Sequence, residues 1–178
     1  MNTDNMLNIA DSRTLRFSDA RTYMFAVLFI AGNIIMPQLC HLVPGGGMIW
    51  LPIYFFTLVG AYLYGWRVGL LTALASPLVN SFLFGMPPVA VLPAIMMKSS
   101  LLAIAASVGS HLGKHNVTLP VMFAVVLCYQ SVGTVGEWAM GASWHIAFQD
   151  FRIGIPGMLL QVLGGYVLLK YVERKRAF

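Results

Sequence analysis

The stretch VLPAIMMKSSLLAIAA, residues 91–106, is apolar throughout except for Lys98 and two serines. Such a run is typical of a membrane helix, which needs about 20 mostly apolar residues to cross the hydrocarbon core. Counted from Pro88 at 1.5 Å per residue, Lys98 lies about 15 Å into the span, near the midplane. A charge at that depth costs at least about 3 kcal/mol, so we expect the lysine to face the interior of a helix bundle.

The composition of the whole chain also indicates an integral membrane protein. Its 178 residues are 58% hydrophobic and 10% charged, with a mean hydropathy of +0.77, whereas a soluble domain carries about 25% charged residues. The net charge of +5 does not indicate a nucleic-acid partner, because the basic residues occupy chain ends and short loops. The two cysteines, Cys40 and Cys128, form neither a disulfide framework nor a zinc motif. The first 20 residues are polar, so no cleaved signal peptide is expected.

Six apolar segments, separated by turns rich in glycine and proline, predict an all-α bundle of six transmembrane helices. The bundle forms a single domain over residues 22–172, between a polar N-terminal segment (1–21) and a basic tail (173–178). The predicted spans are residues 22–39, 48–64, 68–84, 88–112, 119–136 and 153–172.

The basic residues predict the orientation of the bundle, because cytoplasmic loops carry an excess of Lys and Arg. With six spans both termini share one side, and only Arg152 lies on the other side. The basic residues on the side of the termini are Arg13, Arg16, Arg21, Arg67, Lys114, Lys170, Arg174, Lys175 and Arg176. We therefore expect cytoplasmic termini, with residues 41–47, 85–88 and 137–152 facing outward.

The longest outer segment, EWAMGASWHIAFQDFR (residues 137–152), contains both acidic residues predicted on that side, Glu137 and Asp150. Its two tryptophans, Trp138 and Trp144, are typical of the aromatic belt at the lipid headgroups. Alternatively, the segment forms a lid over an outward-facing pocket.

Polar and aromatic residues in the outer halves of the spans are candidates for lining such a pocket, because small-molecule sites combine aromatic walls with few polar anchors. Lys98 would be either the counter-charge of an acidic substrate or half of an internal ion pair, with Glu137 the nearest partner by depth. For each amide, the alternative is a hydrogen bond between helices. The candidate site residues are Lys98, Glu137, Trp138, Trp144, His145, Gln38, Trp50, Tyr54, Asn80, Tyr129 and Gln130.

The segment FFTLVGAYLYGWRVGLLTALASPLVNSFLFGMPP (residues 55–88) resembles the S components of energy-coupling-factor (ECF) transporters. The similarity lies in the turn YGWRVG (residues 64–69) and in Phe84-Gly85 at the outer end of the next helix. Many S components carry Ala-x-x-x-Ala on the first helix, whereas Ala26 and Ala31 are five residues apart here. In S components this motif contacts the coupling subunit, so the difference leaves undetermined which surface of this chain would make that contact.

The resemblance implies a substrate-binding subunit in the cytoplasmic (inner) membrane of a prokaryote. Such a subunit binds a vitamin or related micronutrient from outside, without a cofactor, and delivers it through a membrane coupling subunit attached to two ATPase subunits. The chain itself has no Walker-type phosphate loop, so it is not expected to be an enzyme. Lys98 favours an acid such as pantothenate or biotin, whereas Glu137 and the tryptophans favour a cationic aromatic such as thiamine.

Other functions remain open from the sequence. The chain could be a small structural or assembly protein of the membrane. It could also bind a corrinoid or haem through Cys40 and His41, with His145 as a further ligand. An intramembrane hydrolase is disfavoured, because Ser143 and His145 are two residues apart and no Gly-x-Ser-x-Gly motif is present.

Overall fold

The computed structural model describes residues 14–113 and 116–176, so Arg13 and Lys114 of the orientation argument lie outside the described residues. Throughout these ranges the regular elements are helices. They are α1 (Ala20–Cys40), α2 (Gly46–Trp50), α3 (Phe55–Tyr64), α4 (Trp66–Phe84), α5 (Leu92–Leu112), α6 (Leu119–Ala139), α7 (Trp144–Ala147), α8 (Gln149–Arg152), α9 (Ile155–Leu159) and α10 (Gly165–Arg176). Short 3-10 turns cover Pro52–Tyr54 and Val89–Val91, and a π-helical turn, Leu160–Gly164, joins α9 to α10.

Five helical segments in the described ranges are long and apolar enough to cross a membrane. They are Ala20–Cys40, Trp66–Phe84, Val89–Leu112, Leu119–Ala139 and Ile155–Lys175. The prediction of an all-α membrane protein is therefore confirmed. Of the six predicted spans, the second, residues 48–64, is not among these five segments.

The second predicted span, residues 48–64, is interrupted. Leu51 has a φ of 46° and ends α2, and the apolar helical segment that follows, Pro52–Tyr64, is shorter than the five spans. The residue before a proline is disfavoured in the helical region. Pro52 therefore accounts for a break at this point in a run that looks continuous by hydropathy.

The distribution of polarity is the reverse of that in a soluble protein. Large apolar side chains such as Phe82, Leu42 and Leu112 are 88%, 80% and 78% exposed. The side chains buried between the helices, in contrast, include many polar ones, namely Thr22, Asn33, Thr57, Thr72, Ser76, Asn80, Lys98, Ser99, Ser107, Ser110, Gln130, Thr134 and Gln161. Such a surface is suited to lipid, where polar groups must find partners inside the protein.

Small residues allow α3, α4 and α5 to pack closely. A Cβ atom at Gly69 would lie 2.5 Å from the Cβ of Ala61 and 2.9 Å from that of Ala103. Ala103 belongs to a series of small residues on α5 that are all buried, continuing with Ala106, Ser107 and Ser110. This series therefore packs the bundle, as small residues do between membrane helices.

One end of the bundle, which we call the terminal end, joins the N-terminal segment to the α3–α4 turn. Gly65 makes this turn with a φ of 90°, a value that glycine adopts without steric cost. The Leu15 amide donates to the Tyr64 carbonyl at 3.1 Å, and Lys170 of α10 donates to the Val117 carbonyl at 3.5 Å. The opposite end, the loop end, holds residues 41–54, 85–91 and 140–154.

The interrupted segment is anchored by Asn33 of α1. Its side-chain amide donates to the hydroxyls of Thr57 (3.0 Å) and Ser76 (3.3 Å), and its oxygen accepts from the Phe56 backbone amide at 3.0 Å. The first N–H groups of a helix have no partner within the helix. Asn33 therefore satisfies a group that α3 would otherwise leave unpaired in the bundle.

Candidate functional site

Lys98 is paired with two carboxylates near the loop end. Its Nζ lies 2.5 Å from Glu137 Oε2 and 2.9 Å from Asp150 Oδ2. Lys98 is 3% exposed, and the acidic side chains are 15% and 17% exposed. We call these three residues the charge centre. Its geometry is that of the internal ion pair with Glu137, and it adds Asp150 as a second partner.

Two long helices bring Lys98 and Glu137 together. Lys98 lies six residues after the start of α5 at Leu92, which corresponds to about 9 Å of helix. The 3-10 turn Val89–Val91 precedes α5 and belongs to the same membrane-spanning segment, Val89–Leu112. Glu137 lies two residues before the end of α6, so the lysine stem bridges the remaining difference in depth.

The lysine stem lies directly on the backbone of α6 at Gly133. A Cβ atom there would lie only 2.7 Å from Cγ of Lys98. Gly133 and Glu137 are four residues apart and therefore share one helix face. The glycine thus leaves space for the stem, and the acid binds its end. Gly133 was not among the candidate site residues, although it lies in a predicted span, four residues before Glu137.

Asp150 is presented by α8, a four-residue helix in the connection that follows α6. Among the described residues, Lys98 is the only cation within ion-pair distance of either acid. Arg152, two residues further on, instead lies against His145, with 2.9 Å between Nη1 and Nε2. Asp150 was not among the candidate site residues, although both outer acids were known to lie in one segment.

A set of buried polar side chains continues inward from the charge centre. Gln130, Thr134 and Glu137 follow one another at intervals of four and three residues, which places them on one face of α6. Neither amide atom of Gln130 nor the hydroxyl of Thr134 has a hydrogen-bond partner among the described residues, and the same holds for the Ser99 hydroxyl beside Lys98. We call Gln130 and Thr134, which share this face of α6, the polar stripe.

Two tyrosines lie beside the charge centre. The Tyr129 hydroxyl donates to Gln161 Oε1 at 2.8 Å, and the ring of Tyr54 lies 5.6 Å from that of Tyr129. Tyr54 is close enough to Asp150 and Glu137 to interact with both electrostatically. Gln161 belongs to the π-helical turn, an irregularity that is frequent at functional sites, and its Nε2 has no partner among the described residues.

The structure does not bring the candidate tryptophans to the charge centre. Trp138 and Trp144 are 54% and 56% exposed and pack edge to face, with ring centroids 6.2 Å apart. Trp144 also stacks on Phe148, and His145 is exposed. Trp50 is 40% exposed. Trp138, Trp144 and Trp50 therefore have the exposure expected of tryptophans at the headgroup level.

The candidate amides Asn80 and Gln38 belong to the Asn33 network. Asn80 donates to the backbone carbonyls of Asn33 (2.9 Å) and Ser76 (3.0 Å), and Gln38 approaches its side-chain oxygen at 3.5 Å. These contacts join α1 to α4, which is the interhelical bonding considered as the alternative for each amide. They lie apart from the charge centre.

The candidate metal ligands Cys40 and His41 lie at the end of α1. Cys40 is partly buried and His41 is exposed. In the part of the chain that the structure describes, no three His, Cys, Asp or Glu side chains form a group that could hold a metal ion. His145, the further ligand considered above, lies against Arg152.

No protein-family model matches the chain, and neither a curated protein nor a solved structure matches it. Functional interpretation therefore rests on the residues of the site. The site comprises a charge centre near the loop end, a polar stripe beneath it and two buried tyrosines at its side.

Proposed function

We propose that the chain is the substrate-binding membrane subunit of an ATP-driven importer of the ECF type. It captures a vitamin or related micronutrient at the loop end of its bundle. The observation that carries the proposal is Gln130, which is fully buried and has no hydrogen-bond partner among the described residues for either amide atom. Aromatic walls with a few polar anchors are the usual composition of a small-molecule site.

A comparison of two buried amides supports binding over a purely structural role. Asn33 is also fully buried, but its amide group makes three hydrogen bonds that connect helices. Gln130 connects nothing among the described residues, and leaving a buried polar group unpaired costs about 1–3 kcal/mol. A ligand with donor and acceptor atoms would recover that free energy at Gln130 and Thr134.

The proposal includes an orientation and partners. The loop end faces outward and the terminal end faces the cytoplasm, since Arg21, Arg67 and Lys170 belong to the terminal end and Arg152 belongs to the loop end. A separate coupling subunit and two ATPase subunits supply the energy, because this sequence has no phosphate-binding loop. The membrane is the cytoplasmic membrane of a prokaryote.

Thermal unfolding of the purified protein with a panel of vitamins tests the proposal. One compound should raise the melting temperature of the wild type, since a ligand at 100 times its dissociation constant stabilises by about 2.7 kcal/mol. Gln130→Leu should leave the ligand-free protein as stable or more stable, because it removes an unpaired buried amide. It should weaken binding about tenfold, the equivalent of one hydrogen bond of about 1.4 kcal/mol.

The matched control is Gln38→Leu, which also replaces an amide by leucine but lies outside the polar stripe. It should leave the affinity unchanged. The proposal fails if no vitamin stabilises the wild type. It also fails if Gln130→Leu lowers the stability of the ligand-free protein and leaves the affinity intact, because Gln130 would then be structural.

Cysteine labelling of intact cells tests the orientation. In a background of Cys40→Ser and Cys128→Ser, an impermeant maleimide should react with Met140→Cys at the loop end. It should not react with Asn116→Cys between α5 and α6 unless the cells are opened. Both positions are exposed, so a difference in labelling would show on which side of the membrane each position lies. Labelling of Asn116→Cys in sealed cells, with Met140→Cys protected, would reverse the orientation.

A further inference from the structure

We infer that the compound bound at the charge centre is a small organic cation whose positive group is held by Glu137 and Asp150. This inference rests on the proposed function, in which the loop end binds a small solute. It specifies the sign of the charge on that solute, for which the sequence allowed either an acid or a cation.

The charges of the centre do not balance. Lys98 contributes one positive charge and the two acids contribute two negative charges, so the centre has a net charge of −1. Arg152 lies against His145 and, among the described residues, forms no ion pair with Glu137 or Asp150. A bound anion would raise the imbalance to −2, whereas a bound cation would bring the site to neutrality.

The burial of the centre makes this difference decisive. An uncompensated charge is costly where water is largely excluded, and Lys98 is 3% exposed. Lys98 is also already engaged by both carboxylates, so an acidic ligand would have to compete with them for it. A cationic ligand does not have to displace Lys98, because the two carboxylates carry one more charge than Lys98 balances.

The carboxylates have the capacity to accept further hydrogen bonds. Lys98 contacts one oxygen of each acid, Oε2 of Glu137 and Oδ2 of Asp150. An ionised carboxylate has two acceptor oxygens, so the second oxygen of each acid can accept from an ammonium or a similar group. The partial exposure of both acids, 15% and 17%, leaves them accessible from the loop end.

Two buried amides near the charge centre favour an organic cation over a bare metal ion. Gln130 and Gln161 each have an amide nitrogen without a partner among the described residues. These nitrogens are donors and need an acceptor atom, which a metal ion does not provide. A compound that combines a positive group with a hydrogen-bond acceptor would satisfy both the charge centre and the amides beneath it.

The test identifies by mass spectrometry the compounds that the purified protein retains. Wild type is incubated at pH 7 with a water-soluble metabolite extract, to which thiamine (cation), pantothenate (anion) and riboflavin (neutral) are added. Gel filtration removes unbound compounds, and denaturation releases those retained. We expect wild type to retain a compound that is cationic at pH 7, and Asp150→Asn to retain at least tenfold less of it. The charge-preserving Asp150→Glu should retain more of it than Asp150→Asn, which separates loss of charge from loss of folding.

Glu173→Gln is the matched control, because it removes one carboxylate from α10, away from the charge centre, and should retain the compound as wild type does. Retention of a neutral or anionic compound would overturn the inference and leave the proposed function standing. Equal retention of a cation by wild type and Asp150→Asn would also overturn it. If nothing is retained, both the inference and the proposed function fail.

Discussion

Lys98→Met is expected to destabilise the protein by about 3–5 kcal/mol, because it leaves Glu137 and Asp150 side by side without their cation. The two acids are 15% and 17% exposed, so partial hydration should place the loss near the lower end of that range. Methionine is close to lysine in length, so the substitution does not open a large cavity over Gly133. Chemical or thermal unfolding of the purified protein in detergent would measure the loss.

A neutralised variant separates the charge effect from packing. Adding Glu137→Gln and Asp150→Asn to Lys98→Met removes all three charges and should recover most of the lost stability. Lys170→Met is the matched control, because Lys170 is exposed and its hydrogen bond to a described residue is a 3.5 Å contact with the Val117 carbonyl. If Lys98→Met is as stable as wild type but no longer binds an acidic compound, Lys98 is a substrate counter-charge and the ion-pair interpretation is wrong.

Asn33→Leu should have the second-largest effect, a loss of about 3 kcal/mol in the free energy of unfolding. The substitution leaves the backbone N–H of Phe56 without its partner inside the bundle, and an unpaired buried amide costs about 1–3 kcal/mol. It also removes the bonds to Thr57 and Ser76, each contributing about 0.6 kcal/mol by the average for membrane helices. The unfolding free energy in detergent would show the change.

Gln38→Leu provides the control for Asn33→Leu. It removes an amide from the same helix and the same network, but within the described ranges Gln38 makes one side-chain hydrogen bond, at 3.5 Å. Its loss should stay below about 1 kcal/mol. Equal losses from the two substitutions would show that Asn33 does not anchor the interrupted segment.

The apolar runs and the turns between them could be predicted from the sequence, because the requirement for crossing lipid is local. A membrane helix needs a continuous apolar stretch, and each of the five spanning helices overlaps a predicted span. Gly65 marks a tight turn through the conformational freedom of glycine. The interior position of Lys98 follows from the cost of an ammonium in lipid, and depth alone suggested Glu137 as a partner.

The tertiary structure decided which polar residues meet. Lys98 and Asp150 are 52 positions apart, and their contact depends on how α8 folds back over the bundle, which no local pattern encodes. The same holds for the amides. Asn80 and Gln130 look alike in the sequence, yet Asn80 bonds to α1 and Gln130 has no partner among the described residues. The rotation of each helix about its axis sets these contacts, and it results from the packing of all the helices together.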